Sequence, residues 1–297
     1  MGYDLFLTSP SLSADRFVRH FANRPHYNSP GSYINEDTGV YFQFEYSTDS
    51  DRQSSSEGRV AFSLNYIRPH VFGLEAEPEV AAFVEAFDCK ITDPQSEGMG
   101  SGPYSSEGFL RGWNKGNRVG YEVIAERTDL TRNLIVDEAA IEKVWLWNFH
   151  RQVRQSEFGE DRFLPRLNWA RRPADRATII FPIWTEGVCS AFPECATHVL
   201  LARTRNVSKG WLKGKEEILE TKLVSINEIS ALKDCTWSGE TGNRILLTPT
   251  NLSKSRQISA IFGGQFERTK PVEPVAPDHV LGAELMAQAL QTAIRQT

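Results

Sequence analysis

Few residues of this sequence have the types and spacing of a catalytic site. Asp37, Thr38 and Gly39 form the tripeptide that carries the catalytic aspartate in aspartic proteases, whose chemistry needs two aspartates sharing one proton. The chain has no second copy of the tripeptide, and polar residues stand where an apolar strand would precede it. Because Asp and Gly are common turn residues, the pattern favours an ordinary hairpin turn.

A glycine-rich segment at residues 98–104 resembles a phosphate-binding loop only in composition. It contains Gly98, Gly100, Gly102, Pro103 and Tyr104, but it lacks the Lys-Ser/Thr of a Walker loop. This composition is typical of a flexible surface loop. If the segment has a function, a lid or a recognition loop fits it better than a nucleotide cradle.

The histidines and cysteines do not form a recognisable catalytic or metal-binding set. The six histidines include no HExxH pair, and no GxSxG elbow is present. Cys195 lies three residues before His198, but the strand expected there would turn the two side chains apart. We therefore predict no catalytic residue, no metal site and no cofactor.

Acidic residues gather around the predicted hairpin. Asn35, Glu36 and Asp37, together with Asp49 and Asp51, could collect a cation, but their spacing is not that of an EF-hand. A solvated acidic edge is the simpler interpretation, and this edge is also the first choice for contacting a basic partner. The predicted partner-binding residues are Tyr33, Glu36, Asp37, Asp49, Asp51 and Tyr104.

Arginines crowd residues 151–176 and could clamp phosphates. Acidic residues are interleaved with them, so salt bridges at a joint between domains explain the run more simply. The net charge of −5 and the pI of about 5.8 argue against general nucleic-acid binding. A scaffold or nucleic-acid adaptor stays open as a third hypothesis, with steep salt dependence as its signature.

Composition indicates a soluble globular protein. Of the 297 residues, 40% are hydrophobic and 24% are charged, which is ordinary for such proteins. No apolar run approaches the length of a membrane span, and the first residues do not resemble a signal peptide. The spacing of the four cysteines suggests reduced thiols, so we expect a cytoplasmic location.

In the first half, strands and helices should position these residues. Residues 3–9 and 59–67 are predicted strands, and residues 32–35 and 40–46 form a predicted hairpin. One helix is expected after Ser13 and another from near Pro78 to about Phe87. Glycines weaken a helix by roughly 1 kcal/mol each, so residues 109–126 are expected to form a helix in two pieces.

Residues 137–158 are predicted to form the central helix of the chain. Asp137 can cap its first turn, and its apolar residues cover most of the circumference. Such a helix is normally packed on two sides. We therefore expect it to close the first half of the chain and to pack against the second.

The second half shows short β-like runs at residues 177–184, 197–204, 215–229, 243–249 and 256–264. They predict an antiparallel sheet or a small sandwich. Residues 270–277 are predicted to be an extended linker, and Asp278 is predicted to cap a final helix.

The expected fold class is α+β, with an N-terminal mixed or antiparallel sheet covered by helices, then a β-rich C-terminal domain and a closing helix. The predicted divisions are an α+β domain at 1–160, an arginine-rich joint at 161–176, a β-rich domain at 177–270, and a linker with the C-terminal helix at 271–297.

Several N-terminal segments resemble an uncharacterised bacterial family. They are YDLFLTSPSLS (3–13), HFANRPHY (20–27), NEDTGVYFQFEY (35–46) and FSLNYIRPHVFGLEAEPEVAAFVEAF (62–87). The family is similar to proteins encoded near secreted bacterial toxins, as immunity proteins are. The resemblance covers roughly the first 125 residues and brings no catalytic residue.

The resemblance implies a non-catalytic cytosolic binding protein. Concretely, we expect an immunity protein that neutralises a bacterial toxin by blocking its active site, with a basic toxin domain as partner. The alternative is a hydrolase or transferase with a nonstandard site, using His26, Arg68, His70 and Glu75 around one cleft. A pocket in which these polar residues converge would favour that alternative.

Overall fold

The computed structural model describes residues 1–47, 58–95, 97–126, 130–208, 215–266 and 271–296. The chain divides into two compact units. The N-terminal unit is Met1–Ile141 with Pro277–Thr297, and the inserted unit is Glu142–Ala276. In sequence, the second unit therefore interrupts the first. The residue pattern placed its borders at 160, 176 and 270, whereas the compact units meet at 141/142 and 276/277.

The strands are, in chain order, β1 (Gly2–Ser9), β2 (Tyr27–Ser29), β3 (Ser32–Ile34), β4 (Tyr41–Ser47), β5 (Gly58–Asn65), β6 (Lys90–Thr92), β7 (Ser101–Gly102), β8 (Leu134–Val136), β9 (Leu167–Arg171), β10 (Thr178–Thr185), β11 (Ala191–Pro193), β12 (His198–Ser208), β13 (Lys215–Ser225), β14 (Thr236–Ser238), β15 (Ile245–Leu247), β16 (Glu273–Val275) and β17 (Val280–Gly282). The helices are α1 (Ala14–Phe21), α2 (Val71–Phe87), α3 (Ser106–Ala125), α4 (Glu138–Phe149), α5 (Arg151–Phe158), α6 (Ile226–Ser230), α7 (Arg256–Gly263) and α8 (Ala283–Gln296), with short 3-10 turns at Leu252–Lys254 and Pro277–His279. Within the described residues, none of these helices combines the length and the apolar character needed to cross a membrane.

The sheet of the N-terminal unit is organised around β1. Tyr3, Leu5 and Leu7 are fully buried and alternate with more exposed residues, as the period of two in a strand requires. The strand order is β2-β3-β4-β5-β1-β6-β7, and the described pairings in it are antiparallel. Helix α2 contacts β5 and helix α3 contacts β1. The predicted α+β class is confirmed.

Helix α2 begins at Val71, about two turns before the predicted start near Pro78. A proline inside a helix removes the N–H of its own residue. Here the turns on both sides are held by buried side chains, including Phe72 and Phe83. The prediction was wrong because it treated the proline as a start signal. The missed turns carry Glu75.

Helix α3 is one continuous helix of 20 residues, not two pieces. Four glycines at a spacing of four residues lie on one face of α3. Side chains from neighbouring elements pack directly against the helix backbone on that face. A Cβ at Gly112 would lie 2.9 Å from Oη of Tyr3, and one at Gly116 would lie 2.1 Å from Oη of Tyr66. Close packing thus compensates for the weak helix propensity of glycine.

The inserted unit is β-rich, with one sheet of order β13-β12-β10-β9-β16 and another of order β11-β15-β14. Strands β10 and β12 pair in parallel, so the expectation of an antiparallel sheet was wrong at this pair. A parallel pair needs a crossover connection, and this crossover supplies β11 to the second sheet. Trp184, Phe192, Val199 and Leu201 form part of the core of this unit.

Three predicted extended segments of the second half differ in the structure. Residues 226–230 and 256–263 are helical rather than strands. The second of these, α7, begins where Oγ of Ser255 accepts from the Ile258 N–H at 3.2 Å, and it buries Ile258 and Phe262. The predicted linker contains β16, which pairs with β9. The two helical segments were missed because short apolar runs do not distinguish helix from strand. Strand β16 was missed because it depends on pairing with the distant β9.

The closing helix begins at Ala283 rather than at Asp278. Residues Val280–Gly282 first form β17, which pairs in parallel with β8. The cap comes from elsewhere in the chain: Oε1 of Glu138 accepts from the N–H groups of Glu284 at 2.9 Å and Leu285 at 3.2 Å. A carboxylate at a helix N-terminus also interacts favourably with the helix dipole.

The predicted central helix is divided at His150 into α4 and α5. On α4, Ile141, Val144 and Trp147 are buried, and Nε1 of Trp147 donates to the Pro165 carbonyl at 2.9 Å. None of the α5 residues is buried, and Val153 is 62% exposed. The expectation of a helix packed over most of its circumference was therefore wrong for the second half of the segment.

Candidate functional site

The acidic tripeptide of the sequence lies at the tip of the hairpin formed by β3 and β4. The Asn35 N–H donates to the Val40 carbonyl at 2.9 Å, and the Gly39 N–H donates to the Asn35 carbonyl at 2.7 Å. Oδ1 of Asn35 also accepts from the Asp37 N–H at 3.1 Å, which is an Asx turn. The predicted hairpin turn is confirmed.

A buried glutamate of α2 holds this turn in place through hydrogen bonds. Glu75, on α2, is 3% exposed. Its Oε1 accepts hydrogen bonds from Oη of Tyr33 at 2.8 Å, Nδ2 of Asn35 at 2.8 Å and Oγ1 of Thr38 at 3.0 Å. A carboxylate is costly to bury unless hydrogen bonds replace its water, so this network fixes the turn relative to α2.

Tyr33 serves this network rather than the surface. Burial, followed by the charge of Glu75, raises the pKa of its hydroxyl, so the hydroxyl stays protonated and can donate. Its ring stacks on Phe42 with the centroids 4.3 Å apart. The sequence placed Tyr33 on the partner-binding surface, but the side chain is only 3% exposed. Both its ring and its hydroxyl are used inside the protein.

A second carboxylate on α2, that of Glu79, forms hydrogen bonds with the neighbouring part of the N-terminal unit. Glu79 lies one helical turn after Glu75, on the same face. Its Oε2 accepts from Nη2 of Arg24 at 2.6 Å and from Oη of Tyr27 at 2.8 Å. The two glutamates therefore attach β2 and the β3–β4 turn to one side of α2.

The residues between the fastened ones face outward. Ile34 is 41% exposed and Glu36 is exposed, whereas Asp37 is half-buried. The predicted residues Asp49 and Asp51 lie outside the described residues. The outer face of the turn thus combines an apolar side chain with acidic ones, and we call Ile34, Glu36 and Asp37 the hairpin tip.

Tyr104 belongs to a different face. It is half-buried, and its hydroxyl donates to Oε1 of Glu77 at 2.8 Å. Residues two apart in a helix point in directions about 200° apart, so Glu77 and Glu75 lie on different sides of α2. Tyr104 was grouped with the acidic turn in sequence, but the structure attaches the two to α2 on separate sides.

The four residues of the hydrolase or transferase alternative have different contacts, although Tyr33 is a neighbour of both His26 and Glu75. The ring centroids of His26 and Tyr33 are 5.6 Å apart. Glu75 accepts hydrogen bonds from Tyr33, Asn35 and Thr38. Arg68 donates from Nη2 to Oη of Tyr41 at 2.6 Å. His70 lines a cavity of about 480 Å³ that the other three do not line. This cavity is therefore not formed by the four residues together.

The turn that carries Arg68 is backbone-strained. Ile67 has φ +64°, a conformation that is unusual for a β-branched residue. Asn117, which is 1% exposed, holds it: Oδ1 accepts from the Ile67 N–H at 2.7 Å, and Nδ2 donates to the Arg68 carbonyl at 2.9 Å. Strain of this kind persists only where the surroundings enforce it, so the position of Arg68 is firmly set.

The sequence did not indicate that Ile34 is exposed beside the turn or that Asn35 and Thr38 form hydrogen bonds with Glu75. A signal was present, because two uncharged polar residues flank the acidic pair at a spacing of three. Such residues in a turn commonly hydrogen-bond inward. What the sequence could not show was their acceptor, which lies about 40 residues further along the chain.

Within the described parts of the chain, no three His, Cys, Asp or Glu side chains are placed so that they could hold a metal ion. All four cysteines are free thiols. Comparison with protein-family models, with curated proteins and with solved structures gives no match to this chain.

Proposed function

We propose that this protein is a non-catalytic binding protein that recognises a basic protein partner through the hairpin tip. The partner is a bacterial toxin domain, which the protein neutralises by covering its active site. The resemblance of the N-terminal segments to toxin-neighbouring immunity proteins supports this assignment, and so does the net charge of −5. Such a protein acts in the cytoplasm of the toxin-producing cell.

One observation carries the proposal: the turn that presents the hairpin tip is hydrogen-bonded to a buried carboxylate. Three side chains of the turn donate to the buried Glu75, while Ile34 and Glu36 face outward. Ordering a loop on binding weakens affinity, and a loop that is already ordered avoids this loss. Acidic groups presented in this way also steer a basic partner and fix its orientation.

The test is co-expression with the toxin domain encoded beside the gene of this protein. We expect restored growth of the toxin-expressing cells and a complex of nanomolar affinity in calorimetry. Glu36→Lys should weaken the complex about tenfold or more, because it replaces attraction with repulsion at the contact. Glu45→Lys, an exposed site on β4 of the same hairpin, is the matched control and should leave the affinity unchanged.

Replacing Glu75, which accepts the hydrogen bonds of the turn, separates the effect of turn order on affinity from the effect of charge. Glu75→Met leaves the outward residues intact but removes the acceptor that fastens them. It should weaken the complex while the net charge of the hairpin tip stays the same. Absence of any complex with the neighbouring toxin, or equal effects of Glu36→Lys and Glu45→Lys, would contradict the proposal.

A further inference from the structure

The inserted unit contains a cavity of about 350 Å³ that the proposed partner recognition does not use. Helices α4 and α5 form one wall, and the segments at residues 193–195 and 242–245 form the other. We call it the α4–α5 cavity. The lining residues on which the argument rests are Lys143, Trp147, Arg154, Phe158, Cys195 and Arg244.

One of the three basic residues in the cavity is already neutralised. Oε1 of Glu194 accepts from Nε of Arg244 at 3.0 Å and from Nη2 at 2.5 Å. Oε2 of Glu194 also accepts from the Gly242 N–H at 2.8 Å. This ion pair links residues 193–195 to residues 242–245 within the wall of the cavity.

The other two basic residues have no carboxylate partner among the described residues. Lys143 is exposed, and Arg154 is half-buried with its guanidinium 5.4 Å from the ring centroid of Trp147. Glu157 also lines the cavity but is exposed and forms no ion pair with Arg154 in the described structure. Lys143 and Arg154 therefore leave positive charge available to a ligand.

Lys143 and Arg154 line the same cavity as the Cys195 thiol. Burial raises the pKa of the Cys195 thiol to about 11, and both cations act in the opposite direction on it. Both side chains are therefore close enough to Cys195 to influence its charge. An anion in the cavity would experience the same two charges.

The remaining wall is apolar. Phe158 and Ile245 are half-buried, and Leu146 is 41% exposed at the cavity. Binding sites for small molecules commonly combine apolar walls with a few placed charged groups. An apolar cavity of about 150 Å³ accommodates benzene, so the α4–α5 cavity has room for a ring and an attached anionic group.

We propose that the α4–α5 cavity binds a small organic anion, namely a carboxylate or phosphate monoester attached to an aromatic or short aliphatic group. The anionic group lies between Lys143 and Arg154, and the apolar group lies against Phe158 and Leu146. Bound ligand covers the Cys195 thiol. This site is in the inserted unit, so it does not depend on the hairpin tip.

Calorimetry with four probes tests the ligand class. Phenyl phosphate and benzoate should bind, and the tighter of the two identifies the preferred anionic group. Inorganic phosphate and benzyl alcohol each lack one half of the required chemistry and should bind at least about tenfold more weakly. Equal binding of all four probes, or binding of none, would overturn the proposal.

Charge removal tests the residues. Lys143→Gln and Arg154→Gln should each weaken binding of the better probe about tenfold, which corresponds to about 1.4 kcal/mol, since each removes a hydrogen bond from a charged group to the anion. Lys233→Gln and Arg256→Gln, at exposed positions of the same unit, are matched controls and should change nothing. An equal loss in the controls would show general charge attraction and refute the site.

Thiol protection tests the location. With iodoacetamide at about pH 8.5 and peptide mass spectrometry, the bound probe should slow alkylation of Cys195 at least about fivefold. Cys235, in the same unit but outside the cavity, should be alkylated at an unchanged rate. Binding without selective protection of Cys195 would place the ligand elsewhere and overturn the proposal.

Discussion

Replacing Glu75 with methionine keeps the length of a buried side chain but removes the acceptor of three hydrogen bonds. Oη of Tyr33, Nδ2 of Asn35 and Oγ1 of Thr38 would all lose their bond to Oε1. Each buried donor left without an acceptor costs about 1–3 kcal/mol. The variant also no longer buries a carboxylate, which recovers several kcal/mol.

The three stranded donors together cost about 3–9 kcal/mol, and the recovered desolvation of the carboxylate offsets part of this cost. We therefore expect a net loss of about 2 kcal/mol or more in the free energy of unfolding of the N-terminal unit. Adding Tyr33→Phe removes one of the stranded donors. The double variant should therefore be about 1–2 kcal/mol more stable than the sum of the two single changes.

The assay must report on each unit separately. Trp113 is the only tryptophan in the sequence of the N-terminal unit, and Trp184 is a buried tryptophan of the inserted unit. Fluorine NMR of fluorotryptophan-labelled protein during urea unfolding therefore follows both. Glu75→Met should shift the Trp113 transition and leave the Trp184 transition in place.

Glu85→Met is the matched control, because Glu85 is an exposed glutamate on the same helix. It should change the stability by less than about 0.5 kcal/mol. A loss below about 1 kcal/mol for Glu75→Met would refute the reasoning, because it would mean that the three donors find other acceptors without cost. The hairpin tip could then not be regarded as held in place by Glu75.

Three further predictions concern other parts of the chain. Gly73→Ala places a Cβ 2.2 Å from Cδ1 of Trp113, so overpacking of about 1–3 kcal/mol should exceed the helix-propensity gain of roughly 1 kcal/mol and lower the Trp113 transition in urea. Burial raises the pKa of Cys195 from 9.0 to about 11, so the unfolded chain loses this proton first as the pH rises. Stability should be full below pH 9 and should fall between about pH 9 and 11, with a smaller fall in Cys195→Ala. Ser255→Ala removes the N-cap of α7 and should cost about 1 kcal/mol, measured at the Trp184 transition.

Local patterns were sufficient for much of the N-terminal unit. Alternation in β4 and the apolar spacing of the end of α2 predicted their positions, because each reflects a burial period of one element. The start of α2 was missed because Pro78 was treated as a helix signal. That error hid the relation between Glu75 and the hairpin, which is the central feature of the candidate site.

The remaining differences depend on partners distant in sequence. The final helix takes its cap from Glu138, and β16 exists because β9 is beside it. No window of local sequence contains both members of either pair. Similarly, nothing local distinguished the exposed apolar residues of α5 from the buried ones of α4. The two acidic residues of the hairpin tip were predicted correctly as a turn, whereas the burial of Tyr33 required knowledge of its acceptor.

The glycine face of α3 has a consequence for how this segment acquires its structure. Four glycines disfavour the isolated helix by about 4 kcal/mol relative to alanines, and peptides of this length are only marginally helical in water. A synthetic peptide covering residues 106–125 should therefore be largely unstructured. The helix therefore depends on its packing partners, which include α8, α2 and β1. Deletion of β1 should consequently appear in circular dichroism as a loss of helix as well as of strand.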